Sequence, residues 1–215
     1  MKLITDKASN GLQSKEFSEF LLTRVPKTEI TAKEADELER TLKDGLNEYP
    51  GLGISATQLG IKKRACYIKF GDAENGREMF LLNPVILERS KEGFLFYEGC
   101  LSIPRTIPKP VRTIRACKVI VQTDNLGELV FEINAAEDKA GEKVSVETMM
   151  TVIVQHEIDH LDGITIKDRV YNTQMVKRQN YGRNDIIVMK SPTGEMEEVK
   201  FKNANKYFLQ GYEIV

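Results

Sequence analysis

Ser145-Val146-Glu147-Thr148-Met149-Met150-Thr151-Val152-Ile153-Val154-Gln155-His156-Glu157-Ile158-Asp159-His160-Leu161-Asp162-Gly163 is the stretch on which the reading of this chain turns. It predicts a helix over about 146–161. Ser145 can cap the first free N–H groups, Glu147 suits the positive end of the dipole, and Val144 can pack on Met149 across the cap. Gly163 can take the left-handed conformation that ends a helix. Met149, Met150, Val152, Ile153, Val154, Ile158 and Leu161 cover most of the circumference, as in a helix enclosed by other elements. Within that apolar cylinder lie His156 and His160, the chain's only two histidines. Residues four apart share a helix face, so both rings can reach one metal ion. Glu157 sits one step round, near enough to exchange a proton with water at that ion. Two core histidines at chance spacing would each need a separate polar partner, whereas one cation serves both.

A catalytic metal usually has three protein ligands and an open position. The third ligand here must be a carboxylate or one of Cys66, Cys100 and Cys117. Cys66 and Cys117 sit in or beside β-like runs, where a small buried thiol simply packs. Cys100 lies in Glu98-Gly99-Cys100-Leu101-Ser102, where Gly99 allows close backbone approach and the strand pattern lapses. Upstream runs Gly51-Leu52-Gly53-Ile54-Ser55-Ala56-Thr57-Gln58, in which Gly51 to Ala56 fits a loose dinucleotide fingerprint. A helix and Pro50 precede it, however, where that fingerprint needs a strand. A tight turn accounts for the glycines, and the Gln58 amide beside them could donate to an oxyanion.

The rest of the chain frames these segments. Thr31 and Glu34 form a capping box, followed by Ala35, Leu38, Leu42, Leu46 and Tyr49 at helical spacing up to Pro50. Strands are predicted at Ala65–Phe70 and Met79–Leu87, and at Lys118–Thr123 with Glu128–Ile133 around a four-residue turn. In the tail, Ile186–Lys190 and Glu197–Lys202 predict a hairpin, and Tyr207–Val215 a last strand. Strands, a buried helix and more strands give an α+β fold, with antiparallel strands packed around the metal-bearing helix. With 215 residues, 41% hydrophobic, the chain suits one compact domain with an appendage: a catalytic unit over 1–170 and an extension over 171–215. Its 31 basic and 32 acidic residues exclude a strongly basic nucleic-acid binder or a polybasic membrane anchor. Three cysteines cannot build a disulfide scaffold, no run approaches a membrane span, and the N-terminus lacks a signal-peptide pattern. Cytoplasmic residence is the resulting expectation.

Together, the turn ending in Gln58, the Glu98-Gly99-Cys100-Leu101-Ser102 segment and Gln155-His156-Glu157-Ile158-Asp159-His160-Leu161 resemble the peptide deformylases. Leu82-Asn83-Pro84-Val85-Ile86 is similar to another of that family's strands, and the likeness covers about residues 30–170. The resemblance implies Cys100, His156 and His160 as ligands, most naturally of Fe(II), with Zn(II), Ni(II) or Co(II) able to replace it. It implies hydrolysis of the N-formyl group from the initiator methionine of a nascent polypeptide. Glu157 would take the proton of the attacking water and pass it to the leaving amine. Gln58 and the Leu101 N–H would hold the oxyanion. Gly53 and Gly99 would bind the peptide backbone, Leu52, Met149, Val152 and Ile153 the methionine side chain, and Glu98 with Arg115 would support the Cys100 segment. Arg105, Lys109 and Arg112 are candidates for contact beyond the methionine. A monomer is expected, with transient ribosome contact and no membrane or direct nucleic-acid binding. Ser55 stands where the family usually has alanine, and the first 30 residues and the tail match poorly. A zinc endopeptidase on the same helix motif is the alternative, although no downstream histidine follows. A non-catalytic metal binder would need neither Glu157 nor Gln58.

Overall fold

The computed structural model describes residues 2–6, 14–72, 74–134, 144–170, 184–191, 193–204, 207 and 212–214. Helix α1 spans Lys15–Leu21 and α2 Ala32–Glu48. The predicted box caps α2: the Glu34 N–H donates to Thr31 Oγ1 at 3.3 Å, and the Thr31 N–H to Glu34 Oε2 at 2.9 Å. Strands β1 (Gly53–Ser55), β2 (Ala65–Phe70) and β3 (Arg77–Leu82) form one antiparallel sheet. A second joins β4 (Val85–Arg89), β7 (Lys118–Thr123) and β8 (Gly127–Glu132) in the order β4-β7-β8. Strands β5 (Gly93–Glu98) and β6 (Val111–Ala116) pair separately.

Helix α3 (Val146–Leu161) is packed between the first two sheets. Its Met150, Ile153, Val154, Ile158 and Leu161 meet Cys66, Ile68 and Leu81 on one side, and Val119, Val121 and Phe131 on the other. The first sheet carries α2 on its opposite face, where Leu38, Leu42 and Leu46 cover Ile54, Ala65, Tyr67, Phe80 and Leu82. Both faces of β2 are therefore dry, which is why Ala65, Cys66, Tyr67 and Ile68 are all buried. Each large apolar side chain removed from water in this arrangement contributes roughly 1.5–3 kcal/mol. Ser145 caps α3 by accepting the Thr148 N–H, and Gly163 follows its end at φ 74°. The Leu161 carbonyl there accepts from the Val25 N–H at 2.8 Å and from Arg64 Nη1 at 3.2 Å.

The predicted strand Met79–Leu87 is in fact two. Asn83 adopts φ 49° and Pro84 has no N–H to give a ladder, so the chain leaves one sheet after Leu82 and enters another at Val85. The Asn83 amide holds the corner by donating to Thr28 O at 2.8 Å and Asp124 Oδ2 at 2.7 Å. Further elements escaped the sequence reading: α1, β1 (read as part of a turn), β5, β6 and the short helix that follows α3. In the tail, β9 (Ile186–Lys190) pairs with β10 (Met196–Lys200) and β11 (Glu213–Ile214) over a small core of Ile187, Met189, Val199 and Ala204. Most of the segments 134–145 and 207–215 lies outside the described residues. Among the described residues, no helix is long and apolar enough to cross a membrane. A last short helix, α4, spans Ile166–Arg169.

Candidate metal centre

Two local structures bring the sulfur to the histidines. At the end of β5 the chain folds back on itself: the Ile103 N–H donates to Cys100 O at 2.9 Å, and the Cys100 N–H to Thr106 Oγ1 at 2.9 Å. Across the helix, Gln155 grafts α3 onto the end of β6 as a strand would. Its Oε1 accepts the Ala116 N–H at 3.0 Å, and its Nε2 donates to Ala116 O at 3.0 Å. Since β6 pairs with β5, this clamp fixes α3 relative to the strand that leads into Cys100.

The ligating atoms of Cys100, His156 and His160 all lie within 4.8 Å of one another, and all three residues are buried. Cys100 Sγ stands 3.3 Å from His160 Nε2. Across a tetrahedral cation, a sulfur and an imidazole nitrogen would stand ~3.6 Å apart. One thiol and two imidazoles, with no competing acid among the three, suit a borderline-soft divalent metal. Burial holds the His160 imidazole well below its ordinary pKa, whereas contacts with Cys100 and Glu98 outweigh burial at His156 and raise it, so a cation entering the cluster displaces a proton. The residues fit the metal. Cys66 and Cys117 stay apart from it: burial pushes both thiols up, as expected of inert packing cysteines.

His156 is oriented from behind. Its Nδ1–H donates to Glu98 Oε2 at 2.8 Å, which leaves Nε2 facing the cluster. Arg115 grips Glu98 bidentately, Nε to Oε1 at 2.7 Å and Nη2 to Oε2 at 2.7 Å, and Thr113 Oγ1 also donates to Oε1. The third arm of Arg115 reaches Asp159 Oδ2 at 2.5 Å, and Asp159 accepts in turn from Arg169 Nε and Nη2 at 3.0 and 2.8 Å. Burial disfavours ionised Glu98, but Arg115 and His156 outweigh it and hold the carboxyl well below the usual range. Neither Asp159 nor Arg169 stood out in the sequence; the signal was there in an Asp between the two histidines, which an enclosed helix cannot leave unpaired.

A cavity of about 270 Å³ opens onto this cluster. Leu52, Met149, Val152 and Ile153 line its apolar side, and Cys100, His156, Glu157 and Gln58 its polar side. Gly53, Glu98, Gly99 and Leu101 also line it, whereas His160 lies behind the other ligands. Glu157 is buried, none of the described residues hydrogen-bonds its Oε2, and burial pushes its carboxyl up to about 7. Gln58 is fixed in one sense: Oε1 accepts the Ser55 N–H at 2.8 Å and Ser55 Oγ–H at 3.1 Å, which turns Nε2 the other way. That Nε2 donates to Ser102 Oγ at 3.2 Å. The serine at position 55 therefore clamps the amide through its hydroxyl, and neither Ser55 nor Ser102 stood out as an orienting residue in the sequence. Of the three basic candidates, Arg112 lies over the ring of Tyr97, a cavity residue, at 5.8 Å, while Arg105 turns to Asp6.

Residues 19–176 match the polypeptide deformylase family. The chain belongs to that family. Peptide deformylase 2 of Clostridium perfringens is 35% identical over 150 residues, or 69% of this chain and 85% of that protein. Among solved structures, a probable peptide deformylase from Synechococcus phage S-SSM7 is 26% identical and covers 79% of this chain and 99% of its own, with a TM-score of 0.59. The class I type b peptide deformylase from Acinetobacter baumannii, solved with Met-Ala-Ser bound, is 26% identical over 79% of this chain and 100% of its own, with a TM-score of 0.55. As a peptide deformylase, the protein is a metal-dependent hydrolase that removes the N-formyl group from nascent peptides, and the α+β fold read from the sequence is the family's. The endopeptidase alternative finds no support.

A side chain at position 53 would collide with the Glu157 carboxylate. A Cβ on Gly53 would come within 2.5 Å of Glu157 Oε1 and 2.8 Å of Ile153 Cγ2. Gly53→Ala is therefore expected to lower kcat by about 10- to 100-fold, since ~1 Å of misplacement suffices for the larger figure. The overpacking should cost ~1–3 kcal/mol, read from the denaturant midpoint.

Proposed function

We propose that Cys100, His156 and His160 hold the catalytic metal, and that Glu157, Gln58 and Leu101 carry out deformylation beside it. When bound, the cation polarises the formyl oxygen and makes water nucleophilic near neutral pH. Glu157 receives the proton of the attacking water and delivers it to the amine as the C–N bond breaks, so formate and a free N-terminus leave. Gln58 Nε2 and the Leu101 N–H receive the oxygen that becomes negative. The backbones at Gly53 and Gly99 bind the peptide as an added strand, and Leu52, Met149, Val152 and Ile153 accept the methionine side chain. Glu98 and Arg115 keep His156 aimed, and the contact of Arg112 with Tyr97 favours it among Arg105, Lys109 and Arg112 for meeting the peptide beyond the methionine. The observation that carries this reading is the buried Glu157 oxygen, unpartnered among the described residues, on the wall of the cavity that Cys100 and His156 line.

The family resemblance and the thiolate–imidazole donor set support Fe(II) as the metal in the cell, with Zn(II), Ni(II) or Co(II) as possible replacements. Nascent chains emerge in the cytoplasm, and we place the enzyme there as a monomer with transient ribosome contact. The near-balanced charge speaks against direct nucleic-acid binding. Residues 1–170 are the catalytic unit and 171–215 an extension. Incubation of anaerobically purified protein with formyl-Met-Ala should release formate, and an unblocked peptide should stay intact. A chelator should abolish the release and an added divalent metal restore it. Formate release that survives complete metal removal would overturn the assignment.

A further inference from the structure

Residues 2–6 lie outside the stretch that matches the family, yet they join two parts of the cavity wall. The Ile4 N–H donates to the Gln58 carbonyl at 2.8 Å, and the Asp6 N–H to the Ser102 carbonyl at 2.8 Å. Gln58 belongs to the turn after β1 and Ser102 to the loop after Cys100, so one short extended segment spans both. Ile4 is buried in an apolar cluster that includes Cys100, Ile103 and Ile166. The Asp6 side chain is 6% exposed and receives Arg105 Nη1 at 2.6 Å and Lys167 Nζ at 3.0 Å. Arg105 sits in the Cys100 loop and Lys167 on α4, so three segments meet at one carboxylate. A buried carboxylate between two cations adds little net stability over a well-packed apolar residue. What its fixed partners supply is a defined separation of the pieces they join.

We propose that Lys2–Asp6 is a positioning strap for the oxyanion donors, with Asp6 as its latch. The strap sets the distance between Gln58 and the Leu101–Ser102 peptide, which must be right to within about 0.5 Å for both N–H groups to meet one oxygen. The proposal rests on the roles given above to Gln58 and Leu101.

The test uses the full metal-loaded enzyme with formyl-Met-Ala, and the variants Asp6→Ala, Asp6→Asn, Gln58→Ala and the double Asp6→Ala/Gln58→Ala. Asp6→Ala should lower kcat about tenfold with KM within about twofold, and Asp6→Asn, which keeps the shape and one acceptor, should recover part of the loss. In the Gln58→Ala background the same Asp6→Ala change should lower kcat by no more than about threefold, because one donor it positions is already gone. Equal losses in both backgrounds, an unchanged kcat in Asp6→Ala, or failure of both Asp6 variants to fold would each overturn the strap. Those outcomes leave the oxyanion assignment standing if Gln58→Ala alone is slow. A Gln58→Ala enzyme as fast as the parent instead removes that assignment, and the strap with it.

Discussion

Replacement of Glu157 by alanine is expected to lower kcat for formyl-Met-Ala by about 10²–10⁴-fold, the usual contribution of a positioned acid–base group, with KM and metal content close to those of the parent. The expectation follows from where the carboxylate sits. It neighbours His156 in sequence but stands outside the cluster of Cys100, His156 and His160, and its Oε2 has no partner among the described residues. The position is made for it by Gly53, whose missing side chain leaves room for Oε1. A structural carboxylate buried this deeply would hold a cation or an N–H, as Glu98 and Asp159 do. Steady-state formate release together with metal analysis reads the effect. A Glu157→Ala enzyme within about threefold of the parent in kcat would remove the residue from the proton transfer.

The largest effect on stability is expected at Arg115. Its side chain is 2% exposed and its three arms satisfy Glu98 and Asp159, themselves 4% and 3% exposed. Arg115→Ala leaves Glu98 without its bidentate partner and Asp159 with Arg169 alone. Removal of one member of a buried charge network costs about 3–5 kcal/mol, because the remaining charges stay desolvated. Denaturant unfolding should show the midpoint falling with little change in slope. A loss below ~1 kcal/mol would mean that solvent or a neighbour neutralises the pair, and that Glu98 does not depend on Arg115 to aim His156.

The metal helix was legible because its chemistry and its packing are written in one contiguous stretch. The apolar circumference gave the burial of α3, and the spacing of His156 and His160 gave the approach of their two rings. The Thr31 box and the Asp124–Gly127 turn were legible for the same reason, since each is decided by side chains a few residues apart. What escaped depends on distant partners. Strands β5 and β6 satisfy each other across a long loop; most of β5 is half-buried, and β6 turns Thr113 and Arg115 inward with Ile114 outward, so neither shows an apolar-in alternation. The break at Asn83-Pro84 lies inside an otherwise apolar run, and the asparagine's bonds to Thr28 and Asp124, distant in sequence, fix the corner that its φ of 49° and the proline begin. Ser55 looked like a mere departure from the family's alanine until its hydroxyl was found on Gln58. Asp6 gave no signal at all, because its partners are 99 and 161 residues away.

Cobalt substitution tests the central claim most directly. The Co(II)-loaded protein should bind one ion per chain and show a near-ultraviolet thiolate-to-cobalt charge-transfer absorption, with visible bands of low coordination number. The charge-transfer band should disappear in Cys100→Ala and persist in Cys66→Ala and Cys117→Ala. A band of full intensity in Cys100→Ala, or a cobalt protein without sulfur ligation, would contradict the assignment of Cys100 with His156 and His160 to one cation.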